Sequence, residues 1–128
     1  MSSDRGAVTV VLLAVATATL VVALAVVAVG QFLAGHATAR MAADAAALAA
    51  APVTFRPFGA EGTPAQEAAR FAGLNGSRLV SCVCPLDESW DIRTAQVTVE
   101  RTFTVVLFGA QTVRASARAE FAPTRLLE

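Results

Sequence analysis

Lysine and tyrosine are missing altogether from this 128-residue chain, histidine and tryptophan occur once each, and cysteine twice. Each shortage closes a route. All ten cations are arginines, balanced by ten acids, so no basic surplus is available for a polyanion and direct nucleic-acid binding is not expected. The absent lysine, beside abundant alanine and valine, reads as GC-rich codon usage and says nothing about mechanism. A structural zinc site takes about four ligands. Cys82-Val83-Cys84 with one distant His36 supplies neither that number nor the usual spacing of paired cysteines. No phosphate-binding glycine loop, nucleophile elbow or H-E-x-x-H is present. His36 would need a nucleophile or second acid–base group fixed beside it to do chemistry. Its neighbours at helical spacing are Arg40 and Asp44, so it reads as interfacial polar anchoring. Catalytic, cofactor-binding and metal residues are therefore assigned to none, and a non-enzymatic protein is expected.

What the chain has in excess is apolar sequence. It is 55% hydrophobic, with a mean hydropathy of +0.59, concentrated between Ala7 and Ala51. Ala7 to Phe32 reads AVTVVLLAVATATLVVALAVVAVGQF, without a charge. That is long enough for a helix to cross a hydrocarbon core of roughly 30 Å. The apolar core of a signal peptide is about 7–15 residues, shorter than this run. The A-x-A sequence Ala37-Thr38-Ala39 lies beyond the run, in helix-favouring sequence. A retained or N-terminally trimmed membrane helix is therefore expected. Arg5 and Asp4 on one side and His36, Arg40 and Asp44 on the other barely decide orientation by the positive-inside rule. A short cytoplasmic tail with the rest exported is the expectation. The small-x-x-x-small pairs Ala14/Ala18 and Thr19/Ala23 permit close helix contacts in lipid.

Four segments follow: a tail or leader at 1–6, a transmembrane helix at 7–33, an alanine-rich continuation at 34–51, and a small α+β domain at 52–128. No proline interrupts the chain before Pro52, and only Gly30 and Gly35 weaken the helical pattern, by roughly 1 kcal/mol each against alanine. At 1.5 Å per residue, 7–51 would be about 65 Å long, twice what a bilayer needs. Pro52 is expected to end it. A Pro/Gly loop to Gly62 carries Phe55 and Phe58, which look exposed. Thr63-Pro64-Ala65-Gln66 predicts a capped helix start, with Ala68, Phe71, Ala72 and Leu74 inward and Asn75-Gly76 as the stop. Arg78 to Cys84 predicts a strand. Ala95 to Leu107 alternates, with Arg101 marking a bend or bulge in its apolar face. A turn at Phe108–Gln111 leads into Thr112 to Phe121, a second alternating strand. Arg114 and Arg118 read as part of its solvated face. Cys82 and Cys84 share one strand face, and a disulfide and two free buried thiols are both open. The exported part is of marginal size alone, so its sheet is expected to pack on the alanine rod, with Ala42, Ala45 and Ala46 permitting close approach.

The tail "DRGAVTVV", the apolar helix and "ATARMAADAAALAAA" share the layout of a pilin-like protein. With Asn75-Gly76-Ser77-Arg78-Leu79 leading to Cys82, and the closing "VRASARAEF", the chain resembles the TadE/TadG-like family of Flp (tight-adherence) pilus-assembly proteins, in the short form common in actinobacteria. The resemblance implies a pilin-like α+β fold, one long N-terminal helix packed on a small antiparallel sheet. It further implies a minor pilin or assembly component held by one membrane helix, with its domain outside the cytoplasm. Partners would be the membrane, other pilus or TadE/TadG-like subunits, the assembly machinery and a prepilin peptidase. In such proteins the peptidase cuts after a glycine; Gly6 matches, making Ala7 the mature start. The glutamate often found five residues after the cut is Val11 here. Cys84 stands beside the family-like Cys82. The rival reading is a membrane-tethered binding module that uses the loop aromatics Phe55, Phe58 and Trp90.

Overall fold

The computed structural model describes residues 3–58 and 61–128. Alanine, valine and leucine without an interior proline give one continuous helix, α1, Ser3–Val53, 51 residues or about 75 Å long. Ser3 to Gly6 are already helical, so the tail expected at 1–6 is not set apart; Met1 and Ser2 lie outside the described residues. Pro52 sits in the last turn instead of just after it, and the helix ends one residue later, at Val53. There the Thr54 N–H and hydroxyl both donate to the Ala51 carbonyl, at 3.2 and 2.6 Å. The threonines inside α1 turn their hydroxyls back onto helix carbonyls: Thr17 onto Leu13 and Thr38 onto Ala34, both at 2.8 Å. Polar side chains are thereby satisfied without leaving the helix, as a lipid environment demands.

A 3₁₀ turn at Arg56–Phe58 precedes α2, Pro64–Leu74. The predicted cap is present in full: Thr63 Oγ1 accepts from Gln66 N–H at 3.2 Å, and Gln66 Oε1 accepts from Thr63 N–H at 2.9 Å. At the other end Gly76, at φ +68°, lets the Ser77 N–H reach Ala72 O and the Gly76 N–H reach Gly73 O, closing a Schellman motif. Ala68 and Ala72 are buried and Phe71 half-buried. Leu74 is exposed, because it lies on the far side of α2 from Ala68 and Ala72.

The sheet has three antiparallel strands in the order β1 (Arg78–Val83), β2 (Arg93–Val105) and β3 (Gly109–Phe121). β2 and β3 pair in unbroken register from Arg93↔Phe121 to Val105↔Gly109, so Arg101 marks no bulge. The irregularity lies in β1 at Val80, between the pairs Leu79↔Val99 and Ser81↔Thr98. That extra residue turns both Leu79 and Cys82 toward the core, which strict alternation would forbid. Arg101 stays in the inward register because its guanidinium reaches the end of α2 and donates to Gly76 O at 2.8 Å. The β2–β3 connection is Val106–Phe108, earlier than the expected Phe108–Gln111 turn, and Leu107 there adopts φ 70°.

The resulting α+β fold is built on alanine. Ala42, Ala43, Ala46, Ala47, Ala50 and Ala51 of α1 are buried among Ala68 and Ala72 of α2, Ala95, Val97 and Val99 of β2, and Ala119 of β3. Small side chains on facing elements allow the backbones to approach closely, so burial is extensive without large residues. The N-terminal half of α1 is different. It is the one helix among the described residues long and apolar enough to cross a membrane, and its most apolar window is 0% buried. The chain thus has the layout of a single-pass anchor, one bare half of a helix and one sheathed half.

Candidate functional site

The two halves meet where the β2–β3 hairpin reaches down α1. The uncovered end of the ribbon, beyond β1, lies along the helix. Gly35 is buried, and a Cβ there would run into the Phe103 ring; the missing side chain is what lets strand and helix touch. Phe103 leans on Phe32 at 6.2 Å between ring centroids, and Phe32 stacks on His36 at 6.5 Å. Further along, Val105 and Ala28 are both buried, and Ala25, Phe32 and Phe108 line an apolar groove with them. Gln31, the first strongly polar residue after the apolar run, accepts the Val106 N–H on its Oε1 at 2.7 Å.

The other end of the ribbon is tied by Arg93. Its side chain is 6% exposed, yet no carboxylate pairs with it among the described residues. Its guanidinium instead donates to main-chain carbonyls: Thr54 at 3.1 Å, Asp87 at 2.7 Å, and Ser89. A fork of donors suits such convergent carbonyls, and the planar group also lies 5.1 Å from the Phe55 ring centroid. The loop is held from both sides, because Asp87 N–H donates to Thr54 O at 3.1 Å. Ser89 N–H and Oγ donate to the Asp87 carboxylate, at 2.9 and 2.7 Å, and hold its pKa below the ordinary value, the main-chain N–H contributing most.

The sheet's outward face is polar and internally paired. Glu100 receives Arg78 from β1 and Arg114 from β3, the latter at 3.4 Å; the Arg78 hydrogen bond is the main cause of its lowered pKa. Arg118 donates to Gln96 at 3.2 Å, while Thr98 with Ser116 and Thr102 with Thr112 join across the strands at 2.8 and 2.9 Å. These pairs knit the ribbon sideways.

Among the residues singled out from sequence, Gly6, Ala7 and Val11 lie on the exposed N-terminal part of α1, as do Ala14 and Ala18. Ala42 and Ala46 are fully buried within the protein's own core, and Ala45 is half-buried. Cys82 and Cys84 are joined in a disulfide with Cα atoms 5.4 Å apart, closer than a regular strand would leave them, because β1 ends at Val83. Of the loop aromatics, Phe55 is not available as a contact surface. Phe55 is 3% exposed, packed edge-on to Trp90 at 5.1 Å and against Phe121 at 6.2 Å, so its exposed appearance in the sequence is corrected. Trp90 keeps 47% of its surface. The Phe58 side chain lies outside the described residues. His36, Arg40 and Asp44 are exposed on α1. Among the described residues, no group of three or more His, Cys, Asp and Glu could hold a metal ion.

Three positions went unassigned from sequence: Gln31, Gly35 and Arg93. Arg93 was accessible by parity, since it shares the inward register of Ala95, Val97 and Val99. The pairing of Gly35 with Phe103 and of Gln31 with Val106 joins positions far apart in the chain, and nothing local announces it. Comparison with known proteins gave no match to the chain, whether among family models, curated proteins or solved structures.

Proposed function

We propose that the protein is a non-enzymatic, membrane-anchored minor pilin or assembly component of a Flp/Tad-type pilus or related secretion machine, with its sheet domain outside the cytoplasm. One observation carries the reading: a single unbroken helix of 51 residues whose first half is bare and apolar and whose second half is sheathed by its own domain. Such a helix transmits position rigidly between the bilayer and the domain above it, which suits a subunit that packs lengthwise among others. The Cys82–Cys84 disulfide supports export, since such bonds persist in oxidising compartments. The resemblance in "DRGAVTVV" and "ATARMAADAAALAAA" supplies the pilus assignment. The binding-module alternative loses support because Phe55 is spent on internal packing.

The test is photocrosslinking in the native cell from Val22 in the bare helix and from Met41 or Leu48 on the exposed side of the sheathed half. Adducts with pilin or pilus-machinery subunits are expected. Recovery of monomer alone from all three positions would overturn the assignment. Intact mass of the membrane-extracted chain adds a second reading: a start at Ala7 supports peptidase processing after Gly6, and an uncut N-terminus identifies a permanent anchor.

A further inference from the structure

We infer that the β2–β3 hairpin tip, Val106–Phe108, is a second membrane contact, seated at the hydrocarbon boundary on the sheet's side of the bilayer beside α1. The inference rests on α1 crossing the membrane and not on the pilus assignment.

Depth comes first. Counting from Ala7, about 20 helical residues span roughly 30 Å of hydrocarbon, which places its boundary near Val26. Phe108 of the tip lines one apolar groove with Ala25, Ala28 and Phe32, at and within two turns of that level. A side chain that shares a groove with Ala25 is at the level of the lipid boundary. The chemistry of the tip agrees. Leu107 and Phe108 are 71% and 70% exposed, and Phe108 shares its groove with Val29 and Leu33 of the helix, which are exposed as well. Between Arg101 and Arg114 the ribbon carries no charge. At about 3.3 Å per residue this leaves an end roughly 15 Å long with no charge to keep in water.

The backbone is prepared for the same place. A turn entering lipid must satisfy its N–H groups within the protein. Two of the turn's three N–H groups are held this way: Gln31 takes the Val106 N–H and the Phe108 N–H donates to Val105 O at 3.1 Å, while Gln111 Nε2 donates to Phe108 O at 3.2 Å. Leu107 is the one non-glycine at positive φ among the described residues. A turn facing water would ordinarily place glycine or asparagine there. Leucine's retention at a strained position is explained by an apolar surrounding that rewards its side chain. Lipid fits this surface better than a second copy of the chain, because the tip is flush with a helix face that lipid already covers.

The test uses the full chain in phosphatidylcholine vesicles, with Trp90→Phe removing the native fluorophore and Phe108→Trp or Leu107→Trp placing one at the tip. Val22→Trp serves as the in-membrane reference, and the unmodified chain, with Trp90 at the far end of the ribbon, as the aqueous one. Blue-shifted emission from the tip variants, lost on replacing the lipid with acyl-brominated phosphatidylcholine and insensitive to iodide, is expected. Quenching of Val22→Trp by bromolipid alongside iodide quenching of both tip variants would overturn the inference while leaving the anchor standing. A tip shielded from both quenchers, and freed as protein is diluted into more lipid, would assign the surface to self-association and overturn it equally. Iodide quenching at Val22 as well would remove the membrane span itself.

Discussion

Ala46→Leu puts the closest-packed part of the protein under strain. Ala46 is fully buried in a cluster whose other buried members from α2 and the sheet are alanine and valine, with Phe71, Leu79 and Phe121 packed around it. Accommodating an isobutyl group requires those outer side chains to shift or the backbones to move apart. Overpacking a well-packed core costs typically 1–3 kcal/mol, and a rigid helix between α2 and the sheet argues for the upper end, about 3 kcal/mol. Small domains have roughly 5 kcal/mol or somewhat more in total, so this is a large share. For a domain of this size each kcal/mol moves the midpoint by about 4–8 °C, giving an expected fall of roughly 10–20 °C. Thermal unfolding in detergent, followed by Trp90 fluorescence, reads it, because Trp90 reports on its contact with Phe55. Ala45→Leu, at a half-buried position, should cost less, and Ala37→Leu, exposed, almost nothing. If Ala46→Leu melts with Ala37→Leu, the alanine seam is not what brings the helix and sheet together.

Three further perturbations test the rest of the frame. Gly35→Ala should destabilise by about 1–3 kcal/mol, although helix propensity alone predicts a gain of roughly 1 kcal/mol, because the added Cβ meets the Phe103 ring; adding Phe103→Leu should recover stability, as a thermal melt would show. Arg93→Met should cost about 3 kcal/mol by removing the charged donor shared by the Thr54, Asp87 and Ser89 carbonyls, of which Ser89 is left with none, and Arg93→Lys should restore little, with acrylamide access to Trp90 as the readout. The lowered Glu100 pKa contributes stability that is complete above its ordinary value of 4.5 and is lost as pH falls through the lower folded value; melts between pH 6 and 3 should therefore decline only below about 4.5, and Glu100→Gln should flatten that decline. Asp87 acts in the same direction below 3.8, so a residual slope is expected in the variant.

The elements written in local chemistry were legible in the sequence. The capping box at Thr63–Gln66 and the Asn75-Gly76 stop name both ends of α2 by mechanism, and the long helix follows from length and composition. Alternation found β2 and β3 but misplaced their turn, because Val106 and Leu107 look like strand and Phe108-Gly109-Ala110-Gln111 looks like turn. A leucine at φ 70° is a choice made by surroundings, and no local rule anticipates it. Arg101 was read as a break for the same reason: its partner, Gly76 O, is distant in sequence. The bulge at Val80 leaves no trace in composition, since only the register against β2 reveals that Leu79 and Cys82 face the same way. Phe55 looked exposed because its loop is rich in proline and glycine; Trp90 and Phe121, which cover it, come from the sheet end of the chain.

The same packing changes which part of the rod is left for neighbours. Ala42, Ala43, Ala46, Ala47, Ala50 and Ala51 are consumed by α2 and the sheet, so the smoothness of the alanine run serves the chain's own fold. The face left over holds Ala37, Met41, Asp44 and Leu48, spaced four, three and four residues apart and therefore one stripe of the helix, with His36 and Arg40 exposed beside it. Met41 and Leu48 are exposed apolar side chains on it. In the bare half the small pair Ala14/Ala18 is open, and there alone can helices approach through small residues. Lengthwise assembly of this chain would then use two different surfaces of one helix: close contact through small residues in lipid, and larger apolar side chains around Asp44, flanked by Arg40, beyond it. The hairpin tip lies between them, at the level where α1 leaves the hydrocarbon. A subunit held by both helix and tip would have its tilt and depth in the bilayer restricted, which would fix the height at which the Met41–Leu48 stripe is presented to a neighbour.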